Sequence, residues 1–232
     1  MEMIWNGLVE AFRMIITGDP EIYAITWLTL RVSGSATLIS LLIGIPFGLF
    51  LARVKFPGRR LFVSVVNTAM GFPPVVVGLW VFIFLARNGP LGFLHLLYTP
   101  TAIVIAQVII ATPVITGLTM AAIMQVDPNL QLQVRALGAT RWQSHWLIIR
   151  EARYSILAAI ISGFGAAISE VGASQMVGGN IKGYSRVLTT ATVMETSKGN
   201  TDVAIGISII LLLLAFLVTF FLTLLQQREV QR

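Results

Sequence analysis

The chain has 232 residues, 56% of them hydrophobic and 11% charged, with a formal net charge of +6 and a mean hydropathy of +0.85. That balance excludes an ordinary soluble domain, in which about a quarter of residues are charged, and indicates an all-α polytopic membrane protein forming one domain over residues 1–232. The basic residues are scattered between apolar stretches, which excludes a nucleic-acid surface, and the absence of cysteine excludes disulfides and thiolate metal sites.

Residues 2–17 are too few to span a bilayer. They carry Ile4, Leu8, Phe12 and Ile15 on one helical face, with Asn6, Glu10, Arg13 and Thr17 elsewhere. This pattern predicts an interfacial helix. Glu2 and Glu10 stand where a secretory signal would be basic, and no small-residue cleavage site precedes the first span. Gly18 to Glu21 break the helix.

Five apolar segments follow, near 27–52, 61–86, 101–124, 155–176 and 203–225. Each exceeds the ~20 residues that a helix needs to cross the hydrocarbon core. Placing the N-terminus outside puts Arg53, Lys55, Arg59, Arg60, Arg135, Arg141, Arg150, Arg153, Arg228 and Arg232 on the inner side. Only Arg13, Arg87, Lys182, Arg186 and Lys198 then lie outside. This asymmetry predicts N-terminus out and C-terminus in. An odd number of spans and no internal repeat imply that a two-fold pathway needs a second copy. No GxxxxGK[ST] phosphate loop occurs, so energy must come from a partner or a gradient.

Within the spans, Pro46 lies between Gly44 and Gly48, Pro73 and Pro74 follow Gly71 and Phe72, and Pro113 follows Thr112. Each proline removes a backbone hydrogen bond and kinks its helix. Two readings carry equal weight: a hinge or gate, and a static bend supported by the Thr116 or Thr68 hydroxyl. Gly44 and Gly48 read as close helix packing. The fourth span is the most polar, with Ser162, Gly163, Gly165, Ser169, Glu170, Gly172 and Ser174.

A lone carboxylate at Glu170 is costly in the membrane. It would also repel an anion, so its expected role is structural: pairing with Arg31 or Arg186, or capping a broken helix. Arg31 is read as snorkelling to the outer interface, and Lys182 and Arg186 as an outer docking surface. The candidate gate or pathway residues are Pro73, Pro74, Thr112, Pro113, Ser169, Glu170 and Gly172. His95 and His145 stand alone without metal-ligand spacing, and no catalytic arrangement is apparent.

Residues 126–153 form a polar, basic island between apolar spans. Asp127 is placed to cap a helix with Pro128 at its first position. Gly138 closes that helix, and Thr140 with Gln143 has the form of a capping box opening a second one. The result is a helix–glycine–helix knuckle. Leu130, Val134 and Leu137 form one apolar stripe on it, and Trp142, Trp146 and Ile149 another.

The knuckle, with VDP at 126–128 and LGATRW at 137–142, resembles the cytoplasmic coupling loop of ABC importer permeases of the molybdate, sulfate and tungstate group. The family's Glu-Ala-Ala triplet falls on Leu132, Gln133 and Val134, and Glu151 stands where the family often has proline. REARYS at 150–155, SEVGA at 169–173, and VGGNIKGYSRVLTTA through METSKGN at 177–200 are most similar to the tungstate-type permeases.

The resemblance implies a type I importer in the plasma membrane of a prokaryote, built as a homodimer. Two cytoplasmic subunits would use ATP and Mg, this chain binding no cofactor itself, and an extracytoplasmic binding protein would deliver tungstate. The coupling contacts would come from Leu132, Gln133, Val134, Gly138, Ala139, Arg141 and Trp142. The alternatives are a molybdate or sulfate permease of the same architecture, and an ATPase-independent secondary transporter relaying ions through Glu170.

Overall fold

In the computed structural model, which describes residues 2–228, the chain folds as helices. The first, α1 (Glu2–Ile16), is separated by a short turn from α2 (Pro20–Arg53). Asp19 accepts hydrogen bonds from the Glu21 and Ile22 amides, and Pro20 occupies the first helical position. These two residues start α2 well before the apolar segment does. Its 34 residues extend roughly 50 Å, more than a bilayer core requires.

After α2 come α3 (Arg59–Ala69), α4 (Pro74–Leu85), a 3-10 turn at Gly92–Leu94, and α5 (Pro100–Met124). The knuckle supplies α6 (Pro128–Ala136) and α7 (Arg141–Glu151). The rest of the chain forms α8 (Arg153–Ile168), α9 (Gly172–Gly178), α10 (Leu188–Ser197) and α11 (Thr201–Arg228). Among the described residues, α2, α5 and α11 are long and apolar enough to cross a membrane, and the total reaches five if each of two bent pairs counts as one span. Arg232 of the sequence-based topology lies outside the described residues.

The bent pairs revise the expectation of continuous second and fourth spans. Helices α3 and α4 meet at 102°, and α8 and α9 at 55°. Two consecutive prolines cause the first break: neither offers an amide to the preceding turn, and Pro73, held in extended geometry, caps α4. Pro46 and Pro113, by contrast, lie inside unbroken helices. Beside Pro113 the Thr116 hydroxyl donates to the Thr112 carbonyl at 2.7 Å, the local support expected beside a proline bend.

Small residues set the central packing. A Cβ on Gly48 would come within 2.7 Å of the Thr116 carbonyl oxygen, and one on Gly44 within 3.0 Å of Ile115. The GxxxG pair therefore brings α2 and α5 backbone to backbone. Nearer the start of α2 and α5, Val32, Val81, Ile103, Ala106 and Val177 form a buried apolar cluster.

The N-terminal helix keeps outward the apolar face expected of an interfacial helix. Gly7, Ala11 and Met14 are its buried positions, and they pack on α11, where Gly7 meets Ile205 and Gly206 approaches the Ala11 amide. Phe12 and Ile15, assigned to the binding face by hydrophobic pattern, are exposed. Close backbone approach, which needs small residues, sets this contact in place of side-chain bulk. The large apolar residues of α1 join Leu212, Phe216 and Phe221 of α11 on the outside, as suits a surface solvated by lipid.

Candidate coupling elbow and pathway surface

The knuckle lies at the end of the bundle where α2 and α5 finish and α8 begins. Its two helices are closed locally. The Asp127 carboxylate accepts from the Asn129 amide at 2.8 Å. At the bend, the Ala139 amide donates to the Val134 carbonyl and the Gly138 amide to the Arg135 carbonyl, the paired pattern of a Schellman closure. Gly138 sits at φ +89°, a region that costs residues with a Cβ roughly 1–2 kcal/mol. The capping box then opens α7, with the Gln143 amide donating to the Thr140 hydroxyl and the Thr140 amide to the Gln143 side chain.

This elbow is rigid, and its apolar side chains are in the open. Leu137 is 87% exposed and Trp142 77%. Leu132 and Trp146 are exposed as well, together with Gln133, Gly138 and Arg141, while Val134 and Ala139 are half-buried. Ser144 and Ile148 form the inner face of α7, with Ile148 in a cluster with Ile123 and Ile156. One face of the knuckle thus anchors to the spans, and the other presents large apolar groups without a covering element.

The pathway candidates divide into two places. Just beyond their breaks α4 and α9 lie against each other: a Cβ on Gly172 would meet Val75 at 2.6 Å, and one on Gly78 would meet Ala173 at the same distance. Pro73, Pro74, Glu170 and Gly172 therefore belong to one junction. Glu170 is buried, and its carboxylate accepts from the Ala173 amide at 2.6 Å, while its carbonyl accepts from the Thr189 hydroxyl. Of the expected roles, helix capping is the one observed, and the Glu170–Arg186 and Glu170–Arg31 pairings are not. Arg31 is exposed and has no ion-pair partner among the described residues.

Thr112 and Pro113 lie elsewhere, on α5, where the Thr112 hydroxyl donates to Ser40 of α2 at 3.2 Å and Ser40 to the Val108 carbonyl. Ser169 is exposed, with its hydroxyl returned to the Gly165 carbonyl. It continues a line on α8 formed by Ser155, Ala158 and Ser162, all exposed. Small and hydroxyl-bearing residues make this outer stripe very different from the leucine and phenylalanine surface of α11.

At the opposite end Lys182 and Arg186, expected as an outer docking surface, are joined to the body of the chain by ion pairs. Both turn to Glu21 in the first turn of α2, Lys182 Nζ at 2.6 Å and Arg186 at 3.1 Å, and the Arg186 side chain is only 13% exposed. A carboxylate 165 positions away in sequence draws them in, and no local signal announces it. His145 is likewise not isolated: its Nδ1 accepts from the Arg53 guanidinium at 3.1 Å across 92 positions.

Residues 44–231 match the family described as the binding-protein-dependent transport system inner membrane component. The chain belongs to this family. It is a multi-helix membrane permease component. The tungstate uptake system permease protein TupB of Peptoclostridium acidaminophilum is 40% identical, over 98% of this chain and all of that relative. A probable anion ABC transporter permease protein of Haloferax volcanii is 41% identical over 82% of this chain and 84% of its own length. The molybdenum transport system permease protein ModB of Escherichia coli is 30% identical over 94% of this chain and 100% of its own.

Among solved structures, a bacterial alginate ABC transporter in complex with an alginate-pentasaccharide-bound periplasmic protein aligns with a TM-score of 0.76 at 20% identity, covering 96% of this permease and 87% of that chain. The MetNI methionine ABC transporter aligns with a TM-score of 0.69 at 20% identity, covering 92% and 97%. At these identities the likeness is one of fold.

Proposed function

We propose that the chain is the membrane subunit of an ATP-driven tungstate importer, working as a homodimer. The exposed, locally closed elbow around Gly138 carries this reading. Large apolar groups held rigidly in water are a surface made for a partner. Each elbow seats in a cleft of a cytoplasmic ATPase subunit, with Leu132, Trp142 and their neighbours as contacts. ATP and Mg are bound and hydrolysed there. Closure of the two ATPases moves the spans as rigid bodies and alternates access to the pathway. The excess of Arg and Lys at the elbow end supports N-terminus out and C-terminus in.

The hydroxyl stripe of α8 supports a second copy opposite it, because Ser155, Ser162 and Ser169 suit a wet anion path better than lipid. An extracytoplasmic binding protein delivers the oxyanion to the opposite end. The tungstate assignment rests on the TupB relatives. Molybdate in the same architecture is the second reading, supported by the resemblance to ModB.

The deciding experiment is ATPase activity of the reconstituted permease–ATPase complex, with the binding protein loaded in turn with tungstate, molybdate or sulfate. Stimulation by tungstate alone is expected. Equal stimulation by all three would discard the tungstate assignment, and failure to assemble with an ATPase would discard the importer.

A further inference from the structure

At the elbow end, a groove of about 200 Å³ runs between the last turns of α2 and α5 and the inner side of α7. Phe50, Ile123, Ile148 and Ile149 form its walls, and Arg53 and His145 stand at its rim. An arginine N–H can only donate, so the 3.1 Å contact from Arg53 fixes His145 as the Nε2–H tautomer with Nδ1 accepting. Partial desolvation and then the charges of Arg53 and Arg135 push the imidazole below the ordinary histidine range. The positive charge of Arg135 on α6 thus reaches this rim, although its side chain is not part of the groove wall. Among the described residues, no carboxylate forms an ion pair with Arg53 or Arg135, whereas the cations Lys182 and Arg186 at the opposite end share Glu21.

We infer that this groove binds an anionic phospholipid, its phosphate held by Arg53 and Arg135 beside His145 and an acyl chain lying along Phe50, Ile123 and Ile149. Charge complementarity argues for an anion, since the Arg53 guanidinium at the rim lies within the field of Arg135 and has no carboxylate ion-pair partner among the described residues, and its planar fork suits a phosphate. Depth argues for a lipid over a free ion. Arg53 is the last residue of a membrane-crossing helix, which sets the guanidinium at headgroup level, and Phe50 lies one turn further into the hydrocarbon. A bound lipid would fasten α2 to α7, and so the spans to the elbow.

The test is a lipid titration of the purified full-length permease, read by native mass spectrometry and by thermal unfolding. Phosphatidylglycerol is compared with phosphatidylcholine of the same acyl chains and with inorganic phosphate. Saturable binding and a raised unfolding midpoint with phosphatidylglycerol alone are expected. Arg53→Gln with Arg135→Gln should weaken that binding roughly ten-fold or more, each guanidinium near an anionic headgroup contributing about 1 kcal/mol. If the double variant does not fold, Arg135→Gln alone, on an exposed side chain, should weaken binding about five-fold. Equal binding of phosphatidylcholine, an equal effect of inorganic phosphate, or unchanged affinity in the folded variant would overturn the site. A groove closed by a second copy would show as that last result.

Discussion

The two ends of the bundle treat charge and polarity in opposite ways. Opposite the elbow, three carboxylates are answered within the chain, although Arg31 has no ion-pair partner among the described residues: Glu21 bridges Lys182 and Arg186, Glu195 binds Lys198 and Asn200, and Glu170 caps α9. At the elbow, Arg53 and Arg135 have no carboxylate partner among the described residues, and Leu137 and Trp142 are open to solvent. A chain that satisfies itself at one end and leaves the other unanswered is a part made to be completed there. The self-satisfied end should therefore respond to mutation in stability, and the open end in coupling.

The largest effect belongs to Gly138. Gly138→Pro is incompatible with φ +89° and removes the amide that donates to Arg135, at a local cost of at least about 1 kcal/mol. Uptake driven by ATP should be abolished while membrane insertion and the unfolding midpoint of the permease stay near normal. Coupled uptake at the normal rate would erase the contrast between the ends.

Next comes Glu170. Glu170→Ala strips the cap from a buried Ala173 amide, and a loss of about 2 kcal/mol is expected. Glu170→Gln keeps an acceptor and should restore most of it. Thermal unfolding of the detergent-solubilised protein distinguishes the two, and equal losses in both would mean that the charge matters and the cap does not.

Glu21 should matter less, because its side chain is 38% exposed. Glu21→Gln removes the counter-charge of Arg186 and is expected to cost about 1 kcal/mol. The loss should shrink when Arg186→Met is added, since the cation that remains, Lys182, is 70% exposed and solvated by water.

The smallest effect is one of pH. Hydrogen bonds from Asn200 and then Lys198 hold the Glu195 carboxyl below its usual range. A carboxyl depressed in the folded state contributes stability that is complete above the ordinary value, about 4.3, and is lost as pH falls through the lowered one. Asn200→Ala should flatten that acid limb in unfolding measured from pH 7 downward. An unchanged limb would remove Glu195 from the set of compensated charges.

The elbow was legible in the sequence because its signals act within a few residues. Asp127 with Pro128, Gly138, and Thr140 with Gln143 each determine local backbone, and each does so in the structure. The breaks were half legible. Proline marked positions 46, 73, 74 and 113 alike, yet only the consecutive pair after Gly71–Phe72 turns the chain by 102°. A single missing amide leaves a helix enough neighbouring bonds to continue. The α8–α9 break has no proline, and its signal was the unexplained carboxylate of Glu170.

Contacts between distant segments were not legible. Nothing near Glu21 points to Lys182, and nothing near Arg53 points to His145. The docking of α1 on α11 was not legible either, because it rests on Gly7 and Ala11, which hydrophobic patterning ignores, while the apolar face of α1 stays outward as the pattern predicts.

The docking of α1 on α11 has a consequence for how the protein is made. Gly7 leaves the ribosome long before Ile205, the side chain it packs against, is made. At roughly 5–20 residues per second the wait is on the order of 10–40 s. Through that interval α1 lacks its α11 partner, and its Trp5, Phe12 and Ile16 suit it to rest at the bilayer surface. Helix α1 is thus made long before it can be assembled, and the α1–α11 contact is among the late steps of folding.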